Sequence, residues 1–193
     1  MGTFKHLTAP LHYLRICHPD KIWMDWGVPI ALALMVCAVV GFSPIPIPIF
    51  GSKGLIQICT DVLQLLTGFY VTALAAVATL NRPGLDDLMA GEPATLNGKD
   101  LTRRKFVCYL FGFLAFSSLA LYFTGAIANL IAEPTSFLMP QDVYPSFRFV
   151  TKWVFAFIYA LFVAQLIVAG LLGLWYLTTR LHEPDPRPPQ LIK

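Results

Sequence analysis

Four uncharged runs order this chain. No Asp, Glu, Lys or Arg occurs from Trp26 to Ser52, Val62 to Asn81, Phe106 to Ala132, or Trp153 to Thr179, runs of 27, 20, 27 and 27 residues. A helix needs roughly 20 apolar residues to cross the hydrocarbon of a bilayer. The pattern therefore predicts an all-α, polytopic membrane protein, a bundle of four transmembrane helices at about 23–42, 55–80, 104–132 and 149–179. Residues 1–193 form one membrane domain, and 1–22, 81–103 and 180–193 are left as tails and a loop.

Between the runs the pattern changes character. Phe4, Leu7, Leu11 and Leu14 lie at helical spacing, interrupted by Pro10. They fit a short helix lying on the membrane surface or a loosely ordered tail. After the first run, Pro44-Ile45-Pro46-Ile47-Pro48-Ile49 cannot continue a helix, and each proline holds the isoleucine before it extended. The expectation is a stiff apolar strap, a connector at the outer interface or a surface for a neighbouring subunit. Pro134, Pro140 and Pro145 predict an irregular loop between helices three and four.

Polar residues within the runs are the candidate chemistry. On helix two, Gln57, Asp61, Gln64, Gly68, Thr72, Ala75 and Thr79 recur at spacings of three and four. They form one polar, small-residue stripe, which must face the bundle, another subunit or water, because unsatisfied polar groups cost several kcal/mol in hydrocarbon. Leu63, Leu66, Tyr70 and Val77 on the other face suit lipid. Asp61 is the acid within the helices away from their boundaries. A carboxylate at mid-bilayer costs roughly 3 kcal/mol. Asp61 thus reads as a partly hydrated residue at the outer interface, an ion or proton site, or the partner of Lys53, Arg148 or Lys152. Gln57, Gln64 and Gln165 complete the candidate polar set, with Gln165 expected to hydrogen-bond between helices. Gly68, Ala160, Ala164, Ala169 and Gly173 are candidate helix-packing positions, since small residues four apart let backbones approach closely. The small faces exceed the needs of one four-helix bundle, and a homo-oligomer is expected.

Charge orients the elements. Hydrophobic residues make up 56% of the chain and charged residues 13%, about half the charge of a soluble domain. Lys5, Arg15, Lys21, Arg180, Arg187 and Lys193 in the tails and Arg82, Lys99, Arg103, Arg104 and Lys105 in the middle loop share one side. Lys53, Arg148 and Lys152 are the basic residues of the other. By the positive-inside rule both termini are expected to be cytoplasmic, with the chain multi-pass in the cell inner (plasma) membrane. The first apolar run ends without a small-x-small cleavage pattern and is expected to remain as a helix.

Catalytic and cofactor patterns are missing. His6, His12, His18 and His182 all lie in the tails, none where a membrane haem would need an axial ligand. There is no H-E-x-x-H, no G-x-S-x-G and no C-x-x-C. The expectation is a protein that is not an enzyme, with no cofactor, no metal and no direct nucleic-acid contact. Its partners are the lipid bilayer, copies of itself and a soluble cytoplasmic protein. Candidate docking residues are Arg103, Arg104 and Lys105 in the middle loop and Pro186, Pro188 and Pro189 in the proline-rich tail. A small channel, transporter or membrane-permeabilising effector using the stripe of helix two is the alternative.

In size, four crossings and cytoplasmic termini, the chain is similar to the membrane subunit of bacterial two-component anti-phage systems such as Kiwa. The resemblance is one of layout and covers the whole chain. It implies an inner-membrane oligomer that senses infection at the envelope and holds a soluble nucleic-acid-binding effector.

The sorting of basic residues makes a direct prediction. Reporter fusions after Ser52 and after Lys193 should report opposite sides, with the Lys193 fusion cytoplasmic. A periplasmic reporter at Lys193 would overturn the assignment.

Overall fold

The computed structural model describes residues 26–44, 47–80, 85–87, 95–96, 99–138 and 145–179. Four helices make up nearly all of this: α1 (Val28–Phe42), α2 (Leu55–Thr79), α3 (Arg103–Leu138) and α4 (Pro145–Thr178). A small antiparallel pair, β1 (Thr95–Leu96) and β2 (Lys99–Asp100), lies between α2 and α3, with Thr95 opposite Asp100. Three of the helices are long and apolar enough to cross a membrane: α2, α3 over Arg103–Ala132, and α4 over Phe149–Thr178. α1 is as apolar but shorter, at 15 residues. The N-terminal segment 4–14 lies outside the described residues, as do Ile45, Pro46 and the tail after Thr179.

Proline chemistry sets several helix ends. Pro29 sits in the first turn of α1, where its missing N–H costs nothing. Pro44 holds Ser43 extended, at φ −62 and ψ 130, and α1 stops there. Two ends differ from the loop expected between helices three and four. α3 continues to Leu138, through Pro134, and α4 starts at Pro145. Pro145 fits a first helical position without loss, whereas Pro134 removes one N–H bond from the last turns of α3, beyond the apolar span that ends at Ala132.

Only the last residue of the proline strap enters the bundle end among its described residues, while Pro44, Ile47 and Pro48 are exposed. Ile49 is buried in the core. The carbonyls of Pro48 and Ile49 accept from the N–H groups of Leu55 and Ile56, at 2.9 and 3.1 Å. These are two of the donors that the first turn of a helix leaves without partners. Gly51 makes the turn at φ +100, open to glycine at little cost. Gly54 is required by space: a Cβ there would stand 2.7 Å from the Ile49 carbonyl oxygen. Phe50 then stacks on Phe155 of α4, 5.8 Å between centroids.

α2, α3 and α4 meet through tyrosines laid over glycines. Tyr70 of α2 crosses Gly170 of α4 and donates its hydroxyl to the Leu166 carbonyl at 3.3 Å. Tyr159 of α4 crosses Gly125 of α3 and donates to the Leu121 carbonyl at 3.3 Å. A buried tyrosine supplies a large apolar area, and its hydroxyl needs a partner. Phe111, Leu110, Leu114, Val107 and Leu63 fill the space between. α1 packs against α4, with Gly41 lying against the Trp153 ring. Around this core, Leu65, Phe123, Leu130, Phe162 and Leu171 are exposed, an apolar exterior suited to lipid.

A methyl group at Gly170 would lie 2.5 Å from the Tyr70 hydroxyl oxygen. Gly170→Ala should therefore cost about 1–3 kcal/mol through overpacking, read as a lowered thermal midpoint in detergent. Adding Tyr70→Phe should restore part of the loss. An unchanged midpoint in the single variant would refute the close approach.

Candidate functional site

α2 divides its residues between two faces. Ile56, Thr60, Leu63, Tyr70 and Val77 are buried. Asp61, Gln64, Gly68, Thr72, Ala75 and Thr79 are exposed. This corrects the assignment of Leu63, Tyr70 and Val77 to lipid: they are core, and Leu66 is half-buried against it. The reason is volume. Gly125 and Gly170 open hollows that large side chains from the neighbouring helices fill. The polar stripe is turned outward, and a Cβ added at Gly68 would meet nothing within 4 Å.

At one end of this stripe four groups join in a directed chain. The Gly51 N–H donates to Asn129 Oδ1 at 3.4 Å. Asn129 Nδ2 donates to Gln57 Oε1 at 3.2 Å, and Gln57 Nε2 donates to Asp61 Oδ1 at 2.9 Å. Every donor points toward the Asp61 carboxylate, and hydrogen bonds aligned in this way polarise one another. The chain ties the turn before α2 to α3, and it ends on an exposed acid. Lys53 and Lys152 are exposed, and among the described residues neither pairs with Asp61, while the Arg148 side chain lies outside them. Nothing in the sequence pattern of helix three gives Asn129 a task. Its partners come from residues 72 and 78 positions away, which spacing within one helix does not reveal.

The stripe's hydroxyls are satisfied locally. Thr72 and Thr79 donate to the carbonyls of Gly68 and Ala75, one turn back. Thr67 of α2 and Ser118 of α3 bond side chain to side chain in the interior, at 2.8 Å. Thr67 falls outside the sequence-derived stripe, and its signal is its place in the buried series Thr60, Leu63, Thr67, Tyr70. Gln165, expected to bond between helices, is half-buried on α4 and makes no hydrogen bond among the described residues.

The small residues of α4 serve the chain's own core. Ala160, Ala164 and Ala169 are buried. Gly173 lies against Leu110 of α3, where a Cβ would come within 3.1 Å. Gly68 alone of the five packing candidates is exposed.

At the opposite end the basic cluster is largely engaged. Arg103 is buried. Arg104 holds Asp86 with two bonds, at 2.8 and 3.1 Å, and reaches the Ala78 carbonyl near the end of α2 at 3.4 Å. The N–H groups of Arg103 and Arg104 bond to the carbonyls of Asp87 and Leu85, which satisfies donors at the start of α3. Leu85 is buried beside this latch. Of the three basic candidates Lys105 is the exposed one, and Pro186, Pro188 and Pro189 lie outside the described residues. No three His, Cys, Asp or Glu side chains come together among the described residues.

Asn129→Ala removes two of the three bonds of the directed chain at once, those to the Gly51 N–H and to Gln57 Oε1. It should lower stability by about 1 kcal/mol for each bond lost, read from thermal unfolding in detergent. A wild-type midpoint would show that the chain contributes nothing to the fold. Compared with known protein families, curated proteins and solved structures, the chain matches none.

Proposed function

We propose that this chain is a non-enzymatic inner-membrane subunit that assembles with copies of itself and recruits or restrains a cytoplasmic partner. The observation that carries the reading is the exposed polar face of α2, from Asp61 to Thr79, on a helix long and apolar enough to cross a bilayer. Hydrocarbon offers such a face no hydrogen bonds, so it calls for protein or water. Exposed Gly68 permits a backbone to approach there.

In this reading α1 is the fourth span and both termini are cytoplasmic. Trp153 and Trp175 on α4 mark the two interfaces, where tryptophan concentrates. Their separation of 22 positions corresponds to roughly 33 Å of helix, close to the thickness of a bilayer's apolar core. Gly125 faces both Thr60 and Tyr159, so Asp61 lies near the level of Ala160, about 10 Å inside the Trp153 level. Lys105, the described part of the middle loop and the C-terminal tail supply the cytoplasmic docking face. A role in envelope sensing or anti-phage defence, as a Kiwa-like subunit, follows from the likeness in layout.

The depth of Asp61 favours a second reading, a small ion channel or transporter that uses the same face. The two readings part on measurement. For a scaffold, mild-detergent purification followed by native mass spectrometry should give a multimer with a soluble partner attached. Deleting residues 182–193 should release the partner, and Gly68→Leu should reduce the multimer by obstructing close approach. A monomer at every detergent concentration would sink the assembly reading. Flux through liposomes containing the purified protein, lost in Asp61→Asn, would establish the conductor instead.

A further inference from the structure

Two amides in the long helices find no hydrogen-bond partner among the described residues. Gln64 is exposed on α2 and Gln165 is half-buried on α4, and neither makes a hydrogen bond among the described residues. A glutamine amide carries two donors and an acceptor. Threonines on the same helices discharge their hydroxyls onto the preceding turn, whereas Gln64 and Gln165 do not. In hydrocarbon an unsatisfied amide costs several kcal/mol.

The packing sets the depth of each. Gly125 faces Thr60 on one side and Tyr159 on the other, which puts these two residues at one level. Gln64 is four residues further along α2 than Thr60, and Gln165 is six residues further along α4 than Tyr159. The two helices run in the same direction, so the amides differ by two residues of rise, roughly 3 Å. Glutamine side chains span that difference.

Copies inserted the same way in a membrane are related by an axis along its normal, so residues that meet across their contact lie at one depth. Between these two amides, two pairings satisfy this rule for Gln64. Meeting its own counterpart would leave Gln165 unsatisfied and bring two Asp61 carboxylates together one turn away. Meeting Gln165 of the next copy satisfies both amides and keeps the carboxylates apart. We infer that the polar face of α2 in one copy packs on α4 of the next, with Gln64 hydrogen-bonded to Gln165. The inference rests on the assembly reading above and names its contact. Such a head-to-tail contact joins two different surfaces, and it closes into a ring when the rotation permits.

The experiment is disulfide trapping in native membranes, with Cys17, Cys37, Cys59 and Cys108 replaced by Ala. Gln64→Cys and Gln165→Cys are made on separately tagged chains, co-expressed and oxidised. A dimer carrying both tags is expected, with little product from either variant alone, and a ladder of multimers when one chain carries both cysteines. Self-linking of Gln64→Cys alone would overturn the inference in favour of a symmetric α2 contact. A multimer by native mass spectrometry without the mixed-tag dimer would also overturn it, leaving the assembly reading intact. A monomer would end both. As a second check, Gln64→Leu and Gln165→Leu should each weaken assembly, and the double variant should weaken it little further, as for two ends of one bond. Fully additive losses would overturn the pairing.

Discussion

Tyr159 lies across Gly125 to the Leu121 carbonyl, and Tyr70 lies across Gly170 to the Leu166 carbonyl. These two crossings hold the three long helices at a spacing that only glycine permits, and much else depends on them. They fix the rotation of α2, since Tyr70 can enter the hollow at Gly170 only when Leu63 and Val77 also turn inward. They fix the relative height of the helices as well. Thr67 meets Ser118, and Phe106 meets Tyr176, at levels consistent with them. Each hydroxyl contributes about 1 kcal/mol as a hydrogen bond, while the ring area and the filled hollow contribute the larger part.

Turning the large side chains inward leaves the polar stripe outside. A water-soluble helix would orient in the same sense, with its polar face outward for solvation. Here the same arrangement sits on a helix suited to hydrocarbon, and the outward face has unmet needs there. Threonine and alanine make small demands. Asp61 and Gln64 make large ones, and Gln57 and Asn129 meet part of the demand at Asp61. The proposed assembly gives Gln64 a partner.

Both ends of α2 are closed by its own connections. At one end the Pro48 and Ile49 carbonyls receive its first N–H groups, and Ile49 fills the core beneath. At the other, Arg104 bridges Asp86 and the Ala78 carbonyl, while Leu85 and Leu101 are buried beside it. In both places apolar residues of a connection enter the bundle, and backbone groups bond to a helix end that would otherwise be exposed. A loop built this way is part of the scaffold. It holds the positions of α2 and α3 while leaving Lys105 exposed.

Sequence alone determined the elements that follow from local chemistry. Uncharged runs mark the helices, because charge is what hydrocarbon excludes most strongly. Proline sets ends such as Ser43, because its ring constrains the residue before it. The stripe of α2 was visible at spacings of three and four, because residues so spaced share one helix face whatever surrounds them. Its direction was not visible. Which face turns inward depends on Gly125 and Gly170, residues of other helices that open hollows for Thr60, Tyr70 and Tyr159. The same holds for Ala160, Ala164, Ala169 and Gly173. Their spacing announces close packing, but only the tertiary structure assigns that packing to the chain's own core. The joining of Gly51, Asn129, Gln57 and Asp61 needs three segments brought to one level, and that level is set by volume complementarity between helices, which no single helix encodes.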